Sequence, residues 1–414
     1  MNYKHVIVIS YDAFAAEDWS LAASLPHMAL LLQRGTYTNQ LRSVTPSLTY
    51  AAHTTMVTGY EPEEHGIAHN NPFQPFVREK DQAWFWFSQQ IRKPTLYDLL
   101  QQHRMTTAAL LWPVTAGANI RYHLPEVRAI GKENQVWKVL RYGSPMYCLE
   151  LEMRFGSLRK GIEQPQLDHF TAEAAAYTFR KKQPHLMLVH WIELDEMKHH
   201  YGTNSPQARE AMHHTDEHLG RIVRAVKESG KWDETAFVVV GDHSQINLHT
   251  KVFLNRWLRD QGYLNVENRT FRAWFQSTGG GAYLHISPEE AGLLEVIERK
   301  LAIVSKDVGD CFRRTLHVNG RFFVEANPGY SFDDEWENFS TNTPWNATTQ
   351  GATHGYSKEI EGYTSNLLVS GVDVNASIRL GNMDMVDIAP SIAALFGVKM
   401  QSAGRNCRPL WTIQ

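Results

Sequence analysis

Apolar residues along this chain fall into short β-branched runs separated by longer stretches with helical spacing. The run from His5 to Ser10, in "HVIVISYD", is continuous rather than alternating, which is typical of a strand buried inside a parallel sheet. The runs "AALLW", "HLMLVHW" and "AFVVVG" predict further strands of this kind. Between them, "LPHMALLLQRG", "TLYDLLQQHR", "TAEAAAYTFRKK" and "QAREAMHHTDEHLGRIVRAVKESG" predict helices. The alternation favours an α/β fold with a largely parallel sheet.

Two segments, 118–164 and 270–349, do not follow this alternation of predicted strands and helices. The second contains "GGGAYLHI" and "VNGRFFVEANPGYSFDDEW", which predict some antiparallel strand. We interpret both segments as insertions that form a cap on a single catalytic domain spanning residues 1–414. The final apolar stretch, "MDMVDIAPSIAALFGV", predicts a helix packed back on the sheet.

Composition narrows the class of protein. The chain has 414 residues and a formal net charge of -3, which argues against a general binder of nucleic-acid polymers. Its three cysteines are far apart and suggest neither a disulfide framework nor a thiolate metal site. The first apolar run is too short for a secretory signal, and no run of about 18 apolar residues occurs. We therefore expect a cytoplasmic location and no membrane partner, and the sequence does not indicate an oligomeric state.

Acids and histidines follow several of the predicted strands. In open α/β sheets, ligands bind beyond the carboxyl ends of the strands. Asp12 follows the first strand, and Asp242 and His243 follow "FVVVG". In "IELDEMKHHYG", Asp195 and His199 would share one face of a helix, although that pair alone fits two solvated side chains equally well. A late "THGY" adds His354.

These residues supply oxygen and imidazole ligands, as zinc prefers, in numbers sufficient for two ions. Paired divalent ions suit phosphoryl transfer because they stabilise both the attacking and the leaving oxygen. A nucleophile would come from "TPSLTYAAHTTMVTG", where a hydroxyl at a helix start would meet backbone N–H groups that favour an anion. The residues alone do not choose among Thr45, Ser47, Thr49, Thr54 and Thr55.

The ordered motifs resemble those of the alkaline phosphatase superfamily, and most closely the type I phosphodiesterases and nucleotide pyrophosphatases. That family has a strand ending in Asp, then T-x-x-x-H followed by "TG" and P-x-x-H-G-I, matched here by "VISYDAF" and "LTYAAHTTMVTGYEPEEHGI". D-x-x-x-H-x-x-G, a strand ending in D-H, and a late H-G-Y are matched by "DEMKHHYG", "VVVGDHS" and "GATHGY". The resemblance covers the chain from His5 to about Val398.

The resemblance implies an alkaline-phosphatase-like fold, with a three-layer α/β/α sandwich around a largely parallel sheet and an inserted cap. It also implies a hydrolase with two divalent ions, zinc or manganese. Thr49 would be the nucleophile and form a phosphothreonine intermediate, and the substrate would be a small phosphate diester or pyrophosphate such as a nucleotide. One ion would be bound by Asp195, His199 and His354, and the other by Asp12, Asp242, His243 and the Thr49 hydroxyl.

Two positions depart from the family pattern. Ala52 stands where many members carry an Asn whose amide contacts a phosphate oxygen, and Ser244 replaces the usual Gly after Asp-His. Losing one transition-state donor can cost on the order of 10²–10³ in rate. The change at Ala52 therefore weakens the substrate assignment, and the change at Ser244 is small.

Residues near "NPFQPF" and "WFWF" are candidates for substrate binding. Asn70, Asn71 and Phe73 would orient the substrate, and the aromatic run Trp84–Phe87 would form either a stacking platform or part of the cap core. Three rival functions remain. A phosphomonoesterase or phosphonate hydrolase would use the same ligands, a sulfatase would need a C/S-x-P-x-R frame that "TYAAH" lacks, and a catalytically silent binding protein would have lost a ligand or the nucleophile.

Overall fold

The structure is a computed structural model that describes residues 3–290, 292–337 and 345–411, without the side chains of 302, 303 and 305–308. Residues 338–344, within the second predicted insertion, therefore lie outside the described part. Among the described residues the strands are β1 (His5–Tyr11), β2 (Gly35–Arg42), β3 (Thr107–Leu110), β4 (Tyr122–Leu124), β5 (Leu186–Trp191), β6 (Thr235–Gly241), β7 (Ile246–Asn247), β8 (Thr250–Val252), β9 (Leu264–Asn265), β10 (Thr270–Phe271), β11 (Ala273–Ser277), β12 (Gly281–Ile286), β13 (Phe312–Val318), β14 (Arg321–Ala326), β15 (Tyr330–Phe332), β16 (Asn346–Thr348), β17 (Ala352–Thr353), β18 (Ser365–Ser370), β19 (Ile378–Arg379) and β20 (Met383–Asp384).

The α-helices vary from single turns to a helix of 23 residues. They are α1 (Trp19–Ala22), α2 (Pro26–Leu32), α3 (Thr49–Thr58), α4 (Pro62–His65), α5 (Leu96–Gln102), α6 (Gln135–Tyr142), α7 (Pro145–Phe155), α8 (Gln166–Lys182), α9 (Glu193–Tyr201), α10 (Pro206–Glu228), α11 (Leu254–Asp260), α12 (Leu293–Val308), α13 (Ile388–Leu395) and α14 (Arg408–Trp411).

A central sheet runs through the molecule in the order β19-β2-β18-β6-β1-β5-β3-β4, with β20 paired to β2. The pairs β6-β1, β1-β5, β5-β3 and β3-β4 are parallel, whereas β18 is antiparallel to both of its neighbours. Crossover connections through helices are what parallel neighbours require. The predicted α/β fold with a largely parallel sheet is confirmed.

Alternate residues of β1 face two separate hydrophobic cores. Ile7 and Ile9 pack with residues of α2, α8 and α10 on one face of the sheet. Val6 and Val8 pack with residues of α3, α5 and α13 on the other. Because both faces of the strand are covered, its apolar run is continuous. The sheet is thus the middle layer of an α/β/α sandwich.

A second, smaller sheet lies in the region of the predicted insertion 270–349. Its order is β11-β12-β14-β13, and every pair is antiparallel. Residues of α11 and α12 pack on it and complete a third core that contains Trp257, Trp274 and Phe275. This antiparallel lobe lies beside the carboxyl edge of the central sheet, since Ser277 and Thr278 bond to segments that border it.

The segment 118–164 is divided between two roles. Its first part, β4, extends the central sheet beyond β3. Its second part forms α6 and α7, and α7 packs against α8 of the sandwich. Within the described residues, no helix is both long and apolar enough to cross a lipid bilayer.

Candidate active site

Three neighbouring strands bring the predicted acids to one edge of the central sheet. In the order β6-β1-β5, Asp242 follows β6, Asp12 follows β1, and Asp195 lies in the first turn of α9, just after β5. The strands are parallel, so their carboxyl ends meet at the same edge. Asp168 supports this geometry because its carboxylate accepts hydrogen bonds from the N–H groups of Ile192 and Glu193 at the start of α9, at 2.8 Å each.

The proposed nucleophile, Thr49, is the first residue of α3. Its hydroxyl lies 3.2 Å from His243 Nε2, and its side chain is buried at the helix start. The N-terminal N–H groups of a helix lack intrahelical acceptors and favour a nearby anion. Thr49 is therefore placed where an attacking oxygen would meet a phosphate. The other hydroxyls are used differently: Thr54 bonds the Tyr50 carbonyl, and Ser47 bonds Tyr363.

Asp195, His199 and His354 form one ligand cluster, with ligand atoms within 4.8 Å of one another. His199 Nε2 lies 3.3 Å from Asp195 Oδ2, and the rings of His199 and His354 have centroids 5.1 Å apart. Asp195 and His199 are one turn apart on α9, so the predicted shared helix face is observed. His354 comes from the loop after β17, far away in sequence.

A second cluster adjoins the first. Asp12, Asp195 and His243 also have ligand atoms within 4.8 Å of one another, and His243 Nε2 lies 3.2 Å from Asp242 Oδ2. The same nitrogen is 3.3 Å from Asp12 Oδ1. Asp195 therefore lies between the two clusters. The structure brings all seven predicted ligands together, including the Thr49 hydroxyl.

Backbone carbonyls orient two of the histidines. His199 Nδ1 donates to the Ala352 carbonyl at 2.8 Å, and His354 Nδ1 donates to the Ser47 carbonyl at 3.1 Å. This fixes the tautomer and leaves Nε2 of each ring as an electron-pair donor. Gly355 follows with φ 88°, and a Cβ there would overlap the Thr278 carbonyl oxygen, so only glycine allows this turn.

Burial shapes the electrostatics of the two clusters. Burial, together with the neighbouring Asp195 carboxylate, raises the pKa of Asp12 well above its usual range. Burial and the Asp12 carboxylate do the same to the pKa of Asp242. Burial alone would also raise the pKa of Asp195, but His199 and His354 outweigh it and lower that pKa. Burial lowers the pKa of His243 and brings the pKa of His354 to about 4, so both rings are neutral and able to accept a metal ion.

This donor set fits divalent cations. Among the described residues, the ion-pair partners of Asp12, Asp195 and Asp242 are histidines, not lysine or arginine. Asp12 Oδ1 and Asp242 Oδ2 are buried without a hydrogen-bond partner. Buried carboxylates without a compensating cation are costly, and carboxylate oxygens with imidazole nitrogens are the ligands that zinc and manganese accept.

The three predicted substrate residues line a cavity of about 820 Å³ beside the first cluster, with His199 and His354 in the same wall. Asn70 Oδ1 accepts a hydrogen bond from the N–H of Tyr50 at 3.0 Å, which places Asn70 directly at the start of α3. The Asn71 side chain donates to Gln82 instead. Phe73 stacks on His285, with ring centroids 3.7 Å apart. Asn70 is thus the residue of the three that adjoins Thr49.

A second cavity of about 550 Å³ has mostly apolar walls. Leu48 lines the first cavity and Tyr50 lines the second. Trp84 lines both, and its ring meets the Tyr50 ring edge-on at 5.2 Å. Trp86 is buried in a small core beneath them. The aromatic run therefore serves in both ways that the sequence left open, as a cavity wall and as core.

Three supporting residues were missed in the sequence. Gln245 donates its side-chain amide to Asp195 Oδ1, and His190 Nε2 lies 3.1 Å from Asp12 Oδ2. Lys198 is fully buried, and its ammonium bonds the Ala13 carbonyl and Asp18. The signal for Gln245 is its position just after "GDHS", and the signal for His190 is a polar residue inside an apolar strand. His53, the histidine of "TYAAH", donates to the Thr49 carbonyl at 2.8 Å.

Comparison with known proteins agrees with this site. The family model described as "Type I phosphodiesterase / nucleotide pyrophosphatase" matches residues 6–357. The chain is 23% identical over 293 residues to human ectonucleotide pyrophosphatase/phosphodiesterase family member 5. The aligned region covers 67% of this chain and 53% of the relative. It is 23% identical over 244 residues to the bovine bis(5'-adenosyl)-triphosphatase of the same group, covering 58% and 47%. The chain thus spans about half the length of these curated relatives.

Solved structures share the fold. Murine ectonucleotide pyrophosphatase/phosphodiesterase 5, solved as an inactive variant in complex with AMP, aligns over 99% of this chain and 100% of that chain, with a TM-score of 0.68 and 17% identity. The human protein aligns with the same TM-score over 98% of this chain and 99% of that chain, also at 17% identity. The family's relatives are hydrolases of phosphoester bonds, and this chain belongs to the type I phosphodiesterase/nucleotide pyrophosphatase family.

Proposed function

We propose that this protein is a metal-dependent phosphodiesterase or nucleotide pyrophosphatase that acts through Thr49. The observation that carries the proposal is the position of the Thr49 hydroxyl, at the start of α3 and 3.2 Å from His243 Nε2 within the ligand clusters. A hydroxyl is a weak nucleophile unless a base or a metal activates it. Two divalent ions, zinc or manganese, would be bound by Asp195, His199 and His354 and by Asp12, Asp242 and His243.

The reaction takes two displacement steps. Thr49 Oγ attacks phosphorus and releases its proton to solvent, while the bond from phosphorus to the leaving alcohol or phosphate oxygen breaks and an alcohol leaving group takes up a proton from solvent. The product of this step is a phosphothreonine ester. A water molecule then attacks the same phosphorus, the bond to Thr49 Oγ breaks, and the hydroxyl regains a proton. When bound, divalent ions lower the pKa of the hydroxyl and of water and neutralise the developing charge.

Donors for the phosphate oxygens come from the start of α3 and from Asn70. Ala52, where many relatives carry Asn, is fully buried in the core under α3, so a side chain there would not face the substrate. Asn70 instead accepts the Tyr50 N–H through Oδ1, and its Nδ2 group makes no hydrogen bond with another described residue. We assign the transition-state donor role to this Nδ2 group.

The two cavities favour a diester over a monoester. A diester or pyrophosphate carries a group on each side of the reacting phosphorus, and the two sequence neighbours of Thr49, Leu48 and Tyr50, line two different cavities. A monoester would leave one cavity unused. The relatives include a bis(5'-adenosyl)-triphosphatase, and a related structure is a complex with AMP, so nucleotides are the first substrates to test.

A paired hydrolysis assay tests the proposal. Metal-loaded protein would be given bis-p-nitrophenyl phosphate and p-nitrophenyl phosphate, with Thr49→Ala, Thr49→Ser and Thr45→Ala as variants. We expect a diester preference that disappears in Thr49→Ala and survives in Thr45→Ala, with Thr49→Ser partly active. A monoester preference would keep the nucleophile and overturn the substrate class. Equal activity of Thr49→Ala and the wild type would overturn the nucleophile.

A further inference from the structure

Two helices of the segment 118–164 carry a cluster of exposed large apolar side chains. Trp137 is 73% exposed, Met146 78% and Met153 82%. Elsewhere in the described residues, exposed large apolar side chains occur at Tyr201, Val372, Ile378 and Leu410. Soluble monomers rarely expose such clusters without a function. We name this cluster the insert surface, which consists of Val136, Trp137, Met146, Leu149, Met153 and Ile162.

The insert surface borders the opening of the apolar cavity that Tyr50 lines. Val136, Leu149 and Ile162 all line that cavity and are also exposed. Met146 and Met153 are three residues before and four residues after Leu149 on α7, so they share its face of the helix. Trp137 is the neighbour of Val136 on α6. The protruding side chains and the cavity mouth therefore lie on one side of the molecule.

Charge on this side is unbalanced in favour of cations. The carboxylates of Glu133, Glu150, Glu152 and Glu163 form ion pairs with Lys138, Lys182, Arg159 and Lys160 respectively. Glu126 and Glu196 line the cavity itself, and Glu126 accepts a hydrogen bond from the Tyr50 hydroxyl. Lys132, Arg141 and Arg154 form no ion pair among the described contacts. The guanidinium groups of Arg141 and Arg154 stack on tyrosine rings instead. Three exposed cations thus flank an apolar surface, although the whole chain has a net charge of -3.

We propose that the insert surface binds peripherally to anionic lipid bilayers. Trp and Met side chains at this surface would enter the boundary between headgroups and acyl chains, and the three cations would lie among lipid phosphates. Unpaired cations beside protruding apolar residues complement such a membrane, which offers both negative charge and an apolar layer. Binding in this orientation turns the cavity mouth toward the bilayer. The proposal does not depend on the chemistry at Thr49.

Vesicle flotation of the full chain tests this directly. The probes are phosphatidylcholine vesicles with and without phosphatidylserine. We expect flotation with the anionic vesicles and its loss at high salt. Trp137→Glu combined with Met153→Glu should weaken binding by about ten-fold or more, because both side chains would bring charge into the interface. Alanine at Lys132, Arg141 or Arg154 should weaken it by about five-fold each.

The matched control is Val372→Glu combined with Ile378→Glu, which adds the same charge at exposed apolar positions elsewhere. It should float like the wild type. Circular dichroism would show that each variant is folded. The proposal is overturned if the wild type does not float with anionic vesicles, or if both double variants lose binding equally. A stable dimer that dissociates in the Trp137→Glu, Met153→Glu variant would overturn it in favour of an interface between two copies.

Discussion

The edge of the central sheet and the walls of the two cavities are built in different ways. At the edge, Asp12, Asp242 and Asp195 follow successive neighbouring strands, and each is fixed by the sheet register. The cavity walls instead combine residues from distant segments, such as Trp84 and Trp274, whose positions depend on how the antiparallel lobe packs. We therefore expect the chemistry to depend on the edge of the sheet and the specificity to depend on the cavity walls. Variants at the sheet edge and in the cavity walls test whether catalysis and substrate selection are separated in this way.

The largest effect is expected at Asp195, which lies between the two ligand clusters. Asp195→Asn keeps the shape of the side chain but removes the charge needed by both clusters. We expect loss of both ions and a fall in kcat of more than about 10³-fold, beyond the loss of a single donor. Elemental analysis and diester turnover would measure this. The control is Glu196→Gln, at the next residue of α9, and this variant should keep both ions. If the Asp195→Asn protein retained its metal and its activity, the assignment of Asp195 as a ligand would be contradicted.

Asn70→Ala should lower kcat by on the order of 10²–10³-fold, because it removes one donor to the transition state. Its metal content should not change, since Asn70 belongs to neither cluster. Asn71→Ala is the matched control, because the Asn71 side chain bonds Gln82 in the same cavity wall. An Asn71 effect as large as the Asn70 effect would remove the special role of Asn70. Steady-state kinetics with metal-loaded protein measure both.

Gln245→Leu should weaken metal binding by about 10- to 100-fold, the usual cost of losing a partner that orients a ligand. The Gln245 amide holds Asp195, and Leu keeps most of its volume in this buried place. Titration of the metal-free protein would measure the affinity. Gln350→Leu, in the cavity wall, should bind metal like the wild type. Unchanged affinity in Gln245→Leu would show that the sheet edge alone positions Asp195.

Trp84→Ala should have the smallest effect, a several-fold rise in KM for a nucleotide diester, since stacking of one base is worth about 1–3 kcal/mol at most. Trp84 lines both cavities, so a small monoester that fills neither should be little affected. The exposed Trp137→Ala serves as the control for nucleotide hydrolysis. A rise in KM that is equal for both substrates would show that Trp84 supports the site structurally and does not select the substrate.

The difference between the sheet edge and the cavity walls also explains how much of the structure the sequence could predict. Continuous apolar strands and the acids that follow them are local signals, so the sheet and the positions of Asp12, Asp195 and Asp242 were predictable. His354 required the family resemblance, because it reaches the site from a loop whose packing has no local signature. The sequence marks the positions of Gln245 and His190, but their contacts with Asp195 and Asp12 exist only in the folded chain. The pairing of Asn70 with the start of α3 has no local signal either.

The segment 118–164 and the two cavities were the hardest features to predict from the sequence. The sequence shows that the alternation of helices and strands breaks at 118–164. The part of this segment that forms β4 nevertheless belongs to the central sheet, because its three residues pair with β3. Short strands carry too little periodicity to be separated from a loop by sequence alone. The first cavity is lined by residues from Leu48 to His354 and the second by residues from Tyr50 to Glu196, so neither could be outlined before the fold was known.

We expect Thr49 to carry the phosphoryl group during turnover. Rapid acid quenching of the metal-loaded enzyme with a nucleotide diester, followed by peptide mass spectrometry, tests it most directly. We expect a nucleotidyl adduct on the peptide that contains Thr49, and we expect no adduct on the Thr49→Ala protein. Turnover by the Thr49→Ala protein at the wild-type rate, or an adduct on a different residue, would contradict it.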